Sequence, residues 1–192
     1  MLDSASVGTM ISQSREVLTK PSVATFEKFE KSGGLKEALI YMGIAAAISG
    51  LFGLAGGITG FLNGIITTLV GFLVFTYLVF WIGKQQGGTG TLDEVAYTFA
   101  LFWAPISVLS GVVTLILFIT IVGIFLIPLL GIAVLVANIY FSYMAVQSSL
   151  NLEPGGKIWL ILILAAVGSA IATGIIGSVL GIGGGRSLNL GN

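Results

Sequence analysis

The sequence predicts an all-α, polytopic membrane protein: a bundle of five transmembrane helices preceded by short amphipathic N-terminal helices. Three observations predict it. Five apolar stretches, each long enough to cross a bilayer, occupy most of the 192 residues. Lys and Arg fall almost wholly on one side of the zigzag that these stretches impose. Only 8% of the residues are charged and 56% are hydrophobic, whereas an ordinary soluble domain carries about 25% charged residues.

A helix crossing the hydrocarbon core needs roughly 20 residues. The first span is predicted from Ala38 to Gly57 and the second from Leu62 to Ile82, with Ile58, Thr59, Gly60 and Phe61 as a tight hairpin between them. The third runs from Val95 to Phe118, the fourth from Ile124 to Val146, and the fifth from Ile158 to Ile182. None of the five contains Asp, Glu, Lys or Arg. Thr91-Leu92-Asp93-Glu94 fits a capping box opening the third span, and its two acids suit the positive end of a helix dipole. Pro128 is expected near the first turn of the fourth span, where a missing donor costs little. Pro154-Gly155-Gly156 is a turn signal between the fourth and fifth. Pro105, inside the third span, removes a backbone hydrogen bond and predicts a kink.

Orientation follows from the basic residues in the flanks. Arg15, Lys20, Lys28, Lys31, Lys36, Lys84 and Lys157 fall on one side, and Arg186 alone on the other. The N-terminus is therefore expected in the cytoplasm and the C-terminus outside, as an odd number of spans requires. This divides the chain into a cytoplasmic amphipathic segment (1–37), a five-span membrane domain (38–182) and a short flexible tail (183–192). The first twenty residues include Asp3, Ser4, Ser6, Ser12, Gln13, Ser14, Arg15 and Glu16 and lack an apolar core, so no cleavable signal peptide is expected.

Lipid tails supply no hydrophobic force between helices, so small residues that allow close backbone approach gain importance. Gly53-xxx-Gly57, Gly56-xxx-Gly60 and Gly60-xxx-Gly64 run through the first hairpin, and Gly177-xxx-Gly181 and Gly181-xxx-Gly185 end the fifth span. Packing within the bundle is the ordinary use of such spacings; a seam between copies of the chain is the other. Asn63, Asn138 and Gln147 are the strongest polar side chains in or near the spans. Asn138, near the middle of the fourth, is the first candidate for lining a transport path, although such an amide more often joins helices. Ion-coupled transporters carry an intramembrane ionisable residue, and none is present here.

The remaining motifs point away from chemistry. Gly83-Lys84-Gln85-Gln86-Gly87-Gly88-Thr89 resembles a phosphate loop only superficially, because Thr89 stands where the lysine belongs and no strand precedes it. Without Cys or His a metal centre is not expected, and an intramembrane serine has no neighbouring base. No catalytic, cofactor-binding or metal-binding residue is assigned, and no cofactor is expected. The formal net charge of zero gives no reason to expect nucleic acid.

Residues 1–37 are the main polar segment. Val7, Met10, Ile11, Val17 and Leu18 define one helical face, with Ser and Gln predicted opposite. After Pro21, Val23, Phe26 and Phe29 form a second stripe, with Glu27 and Lys31 spaced as an i,i+4 pair, and Gly33-Gly34 ends it. Two short surface helices result. Five basic residues are matched by Asp3, Glu16, Glu27, Glu30 and Glu37, so the segment as a whole lacks the excess charge that binds anionic lipid. Apolar docking under the bundle is expected instead.

Pro21-Ser22-Val23-Ala24-Thr25-Phe26-Glu27-Lys28-Phe29 resembles the "P…TFE" stretch that precedes the first span of Yip1-domain proteins. Gly87-Gly88-Thr89-Gly90-Thr91-Leu92-Asp93-Glu94, then Tyr97, then Ala104-Pro105 is similar to that family's "GGKGT…Y…AP" pattern. The resemblance covers residues 20–182 and implies five spans with a cytoplasmic N-terminus. Eukaryotic members are associated with Rab GTPases, vesicle formation and membrane curvature through a longer N-terminal region. The short region here carries no acidic patch for a GTPase, so a Rab-type partner is not expected, and the compact form resembles prokaryotic members.

The function expected is that of a non-enzymatic scaffold or membrane-organising factor in the cell membrane. Its partners would be the lipid bilayer and a membrane protein or a second copy of the chain. The alternative is a passive carrier or channel for a lipid or apolar solute, with Asn138, Thr67, Thr68 and the Pro105 kink lining its path.

Overall fold

The computed structural model describes residues 6–53 and 57–180. The chain forms seven helices among these residues: α1 (Val7–Thr19), α2 (Val23–Phe29), α3 (Leu35–Phe52), α4 (Gly57–Gln85), α5 (Leu92–Ile119), α6 (Ile121–Ser149) and α7 (Gly156–Leu180). Helices α3 to α7 are long and apolar enough to cross a membrane, so the all-α, five-span class expected from the sequence is the observed one. The C-terminal tail and the glycine pair Gly181 and Gly185 lie outside the described residues.

Helices α4, α5 and α6 run longer than the predicted spans. At about 1.5 Å per residue, the 29 residues of α4 and of α6 extend about 43 Å, beyond the roughly 30 Å of a hydrocarbon core. Two boundaries differ from expectation for that reason. Ile58 to Phe61 are the start of α4 and not a loop; the turn lies earlier, because Gly57 takes a left-handed φ of 72° that only glycine adopts freely. Pro128 is not in a first turn: α6 begins at Ile121, so Pro128 sits about two turns inside, where it deprives the Ile124 carbonyl of its helical donor. Thr120 alone connects α5 to α6. Its hydroxyl accepts from the Gly123 amide at 3.1 Å and donates to the Leu117 carbonyl at 3.0 Å, serving both helix ends.

Helix α3 packs between α4 and α5, α5 packs along α6, and α7 lies on α4. Helices α6 and α7 meet only sparingly, which leaves a cleft between the α5–α6 and α4–α7 pairs. The first hairpin owes its closeness to glycine. A Cβ on Gly53 or on Gly60 would strike the carbonyl of the other, and one on Gly64 would lie 3.3 Å from the Gly50 Cα. Gly53, Gly60 and Gly64 thus pack the bundle internally, with Gly50 joining them, whereas Gly57 has open space around it and Gly56 lies outside the described residues.

The core is concentrated at the end carrying α1 and α2. Met10, Val17, Phe26, Tyr97, Phe99, Phe102, Leu150 and Ile158 are buried there. Phe102 lies at its centre, with ring centroids 6.2 Å from Phe26, 5.4 Å from Phe99 and 5.7 Å from Phe141. At the opposite end Ile119 and Phe125 are 76% and 80% exposed, as side chains solvated by lipid tails would be.

Candidate functional site

The polar side chains converge on the end of the bundle that carries α1 and α2. Ser6 caps α1 and Ser22 caps α2, each accepting from the amide three residues on, so both short helices have defined starts. Helix α1 lies on α5 and α3, and α2 lies on α6. The buried face of α1 differs from the predicted one. Gln13 and Ser14 are buried beside Met10 and Val17, while Ile11 is 56% exposed. The cause lies in the bundle: Tyr97 donates its hydroxyl to Gln13 Oε1 at 2.7 Å, and Tyr41 donates to Ser14 Oγ at 3.1 Å. A buried phenol requires a partner, so the polar residues turn inward. Their i, i+3, i+4, i+7 spacing (10, 13, 14, 17) marks one helical face, and is the signal by which the sequence could have revealed them.

The acidic residues act as structural ties. Asp93 Oδ1 accepts from the Leu35 amide at 2.8 Å, so the first turn of α5 caps α3. Glu37 accepts from the Gly34 amide at 2.9 Å. The expected capping box is present, Thr91 Oγ1 accepting from the Glu94 amide at 3.2 Å and Glu94 Oε2 from the Thr91 amide at 2.8 Å. Gly33 lies against the Tyr97 ring, and a Cβ on Gly34 would come within 2.8 Å of Asp93 Oδ1. The glycine pair therefore does more than end a helix; it admits the chain beneath α5.

The 86–90 loop is folded onto the bundle. Thr89 N–H donates to the Leu150 carbonyl at 3.0 Å and Gly88 N–H to the Gly83 carbonyl at 2.9 Å. Lys84 reaches the Thr89 and Gly90 carbonyls at 3.4 Å, and Lys157 reaches the Gln86 carbonyl at 3.3 Å. With amides turned toward their own chain, this loop is no phosphate cradle. Among the described residues the ion pairs are Lys28–Glu16 at 2.8 Å and Lys31–Glu30 at 3.8 Å. The anticipated Glu27–Lys31 pair does not form among the described residues, because α2 ends at Phe29 and Lys31 has left the helical register.

The candidates for a transport path are not brought together. Asn138 donates Nδ2 to the Val134 carbonyl at 2.8 Å, and its Oδ1 is buried without a partner. It borders a cavity of about 480 Å³ in the α6–α7 cleft, floored by Phe75 and Trp103. Pro105 borders a different cavity, between α1, α3 and α5. Thr68 donates to the Gly64 carbonyl of its own helix at 2.8 Å, and Thr67 is exposed. Asn63 is half-buried near the start of α4, and Gln147 near the end of α6.

A family model described as the Yip1 domain matches residues 15–176. The chain belongs to the Yip1 domain family. No curated relative and no solved structure matches it. The Yip1 match begins within α1 and ends within α7, so it includes the docked α2 as well as the five long helices. The stretches that carried the resemblance do identifiable physical work. Ser22 caps α2, Phe26 fills the core, Gly90 lies against the Ser149 carbonyl, and Tyr97 grips α1.

One carboxylate tie in this Yip1 domain is buried and its pKa is shifted upward. Glu30, at the end of α2, is only 5% exposed and accepts from Ser148 Oγ of α6 at 2.6 Å. Burial raises its carboxyl above the ordinary value of 4.5; the serine bond lowers it by less, Glu94 and Glu27 add to the rise, and Lys31 offsets part of it. A carboxyl with a raised folded pKa stabilises the docked state fully below 4.5, and loses that contribution as pH rises through the raised value. Protection of the α2 amides, taken relative to their intrinsic exchange rate at each pH, should therefore be greatest in acid and fall as Glu30 ionises. Glu30→Gln should flatten that dependence; an unchanged profile in the variant would place the titrating group elsewhere.

Proposed function

We propose that this Yip1-domain chain is a non-enzymatic scaffold that organises the membrane around it, or serves as a small subunit of a larger membrane complex. In this reading it sits in the cell membrane with residues 1–37 on the cytoplasmic side and the C-terminus outside. A membrane protein or a second copy of the chain is its partner. The observation that carries the reading is the closed polar end. Its carboxylates and hydroxyls tie helix to helix: Glu30 to Ser148, Asp93 to the Leu35 amide, Tyr97 to Gln13, Tyr41 to Ser14. Groups engaged in this way hold a shape, and the side chains named here are committed to helix-to-helix ties. The broad exposed faces of α6 and α7 offer apolar surface to lipid and to neighbouring helices.

The carrier reading draws support from the Asn138 cavity, and one substitution separates the two. In a scaffold Asn138 is a single polar contact, and such contacts average about 0.6 kcal/mol within membranes. Asn138→Leu should then leave folding and the mass of the gently extracted assembly unchanged. Solute flux into liposomes that vanishes with this change, while the protein stays folded, would overturn the scaffold. Orientation has its own check. A cysteine at Ser4 should label only after permeabilisation and one at Asn192 without it; labelling from the same side would remove a span.

A further inference from the structure

We propose that the groove between α1, α3 and α5 is a binding site for an anionic phospholipid, with an acyl chain in the groove and the phosphate on Arg15. The cavity measures about 430 Å³ and is walled by carbon, notably Ile44 and Ile48 of α3 and Val108 and Leu109 of α5. It opens to the bilayer side, where Ile44, Ile48 and Leu109 are 42%, 37% and 58% exposed. Helix α1 closes one end, and there Arg15 borders the groove with Ser14 and Thr19. Arg15 is thus the one charged residue of the lining, at the end where an amphipathic helix meets the headgroup layer.

The charge is available. Lys28 is held by Glu16 and Lys31 lies beside Glu30, whereas Arg15 is exposed and has no carboxylate within salt-bridge distance among the described residues. A guanidinium matches phosphate with two parallel N–H donors. The charge balance of residues 1–37 as a whole argued against lipid binding, but the pairing of individual residues leaves a local cation where the groove ends. The Asn138 cavity lies between α6 and α7, so this site stands or falls independently of the carrier reading.

Native mass spectrometry of the full chain, extracted and then offered phosphatidylglycerol or phosphatidylcholine, tests the site. Arg15→Gln should lower retention of phosphatidylglycerol relative to phosphatidylcholine about fivefold, the effect of one basic residue at an anionic surface. Arg15→Lys should retain part of the preference. Lys20→Gln, whose side chain does not border the groove, should change little. Leu109→Trp, at the exposed mouth, should displace both lipids from a folded protein. Equal losses in Arg15→Gln and Lys20→Gln would reveal a diffuse surface attraction and overturn the site. An unchanged preference in Arg15→Gln, displacement by inorganic phosphate at matched ionic strength, or a folded Leu109→Trp variant that keeps both lipids would each overturn it as well.

Discussion

Gly90→Val is expected to cost about 3 kcal/mol or more, a large share of the roughly 5–15 kcal/mol that holds an ordinary fold. Any Cβ at this position falls on the Ser149 carbonyl, with Glu94 Oε2 3.1 Å away. The first obstacle is helical backbone and cannot rotate aside as a side chain could. Either the 86–90 loop lifts or the end of α6 moves, and both routes break the bond from the Thr89 amide to the Leu150 carbonyl. Thermal unfolding of the detergent-extracted protein measures the loss. Two glycines calibrate it. Gly87→Ala, at a φ of 94° with nothing within 4 Å, should cost about 1 kcal/mol of backbone strain. Gly156→Ala, also in open space, should be neutral or slightly stabilising. A Gly90→Val midpoint equal to that of Gly156→Ala would mean that the loop is not seated on α6.

The difference among these three glycines shows where sequence reasoning reaches and where it stops. The spans were legible because lipid imposes a one-dimensional rule: a helix must satisfy its own backbone and present apolar side chains over a fixed length. The capping box at Thr91 and Glu94 was legible because it is local. The turn between α3 and α4 was not, since Gly53 to Gly57 has the same apolar, glycine-rich composition as the helices it joins, and no polar residue marks it. The inward turn of Gln13 and Ser14 was hidden for a different reason. Their partners Tyr97 and Tyr41 lie 84 and 27 residues away, and a polar residue on an amphipathic helix is assigned to water until a buried donor claims it. Ser148 and Glu30, 118 residues apart, are joined by the same logic. Asn138 and Pro105 were candidates for one path by residue type alone, and only the packing shows that they border separate cavities.

Phe102→Ala should be the most damaging truncation in the core, costing about 3 kcal/mol, the lower end of the range for buried aromatic residues. The lower end applies because part of the usual cost is transfer from water, and a helix already in lipid has partly left water behind. What remains is the lost packing itself. Phe102 is fully buried, stacked on Phe141 of α6, with Phe26 of α2 set edge-on against it. Removing the ring detaches the docked segment from two directions at once, so hydrogen exchange should rise in α2 before the bundle melts. Phe26→Ala should produce the same early release, and the double variant should cost less than the two singles added, since both changes empty one space. Ile132→Ala supplies the contrast. That side chain is 59% exposed on α6 and meets lipid, which refills the volume, so its midpoint should barely move. Equal losses at Phe102 and Ile132 would mean that this face of α6 is covered by protein, and that the lipid-facing surface of the bundle lies elsewhere.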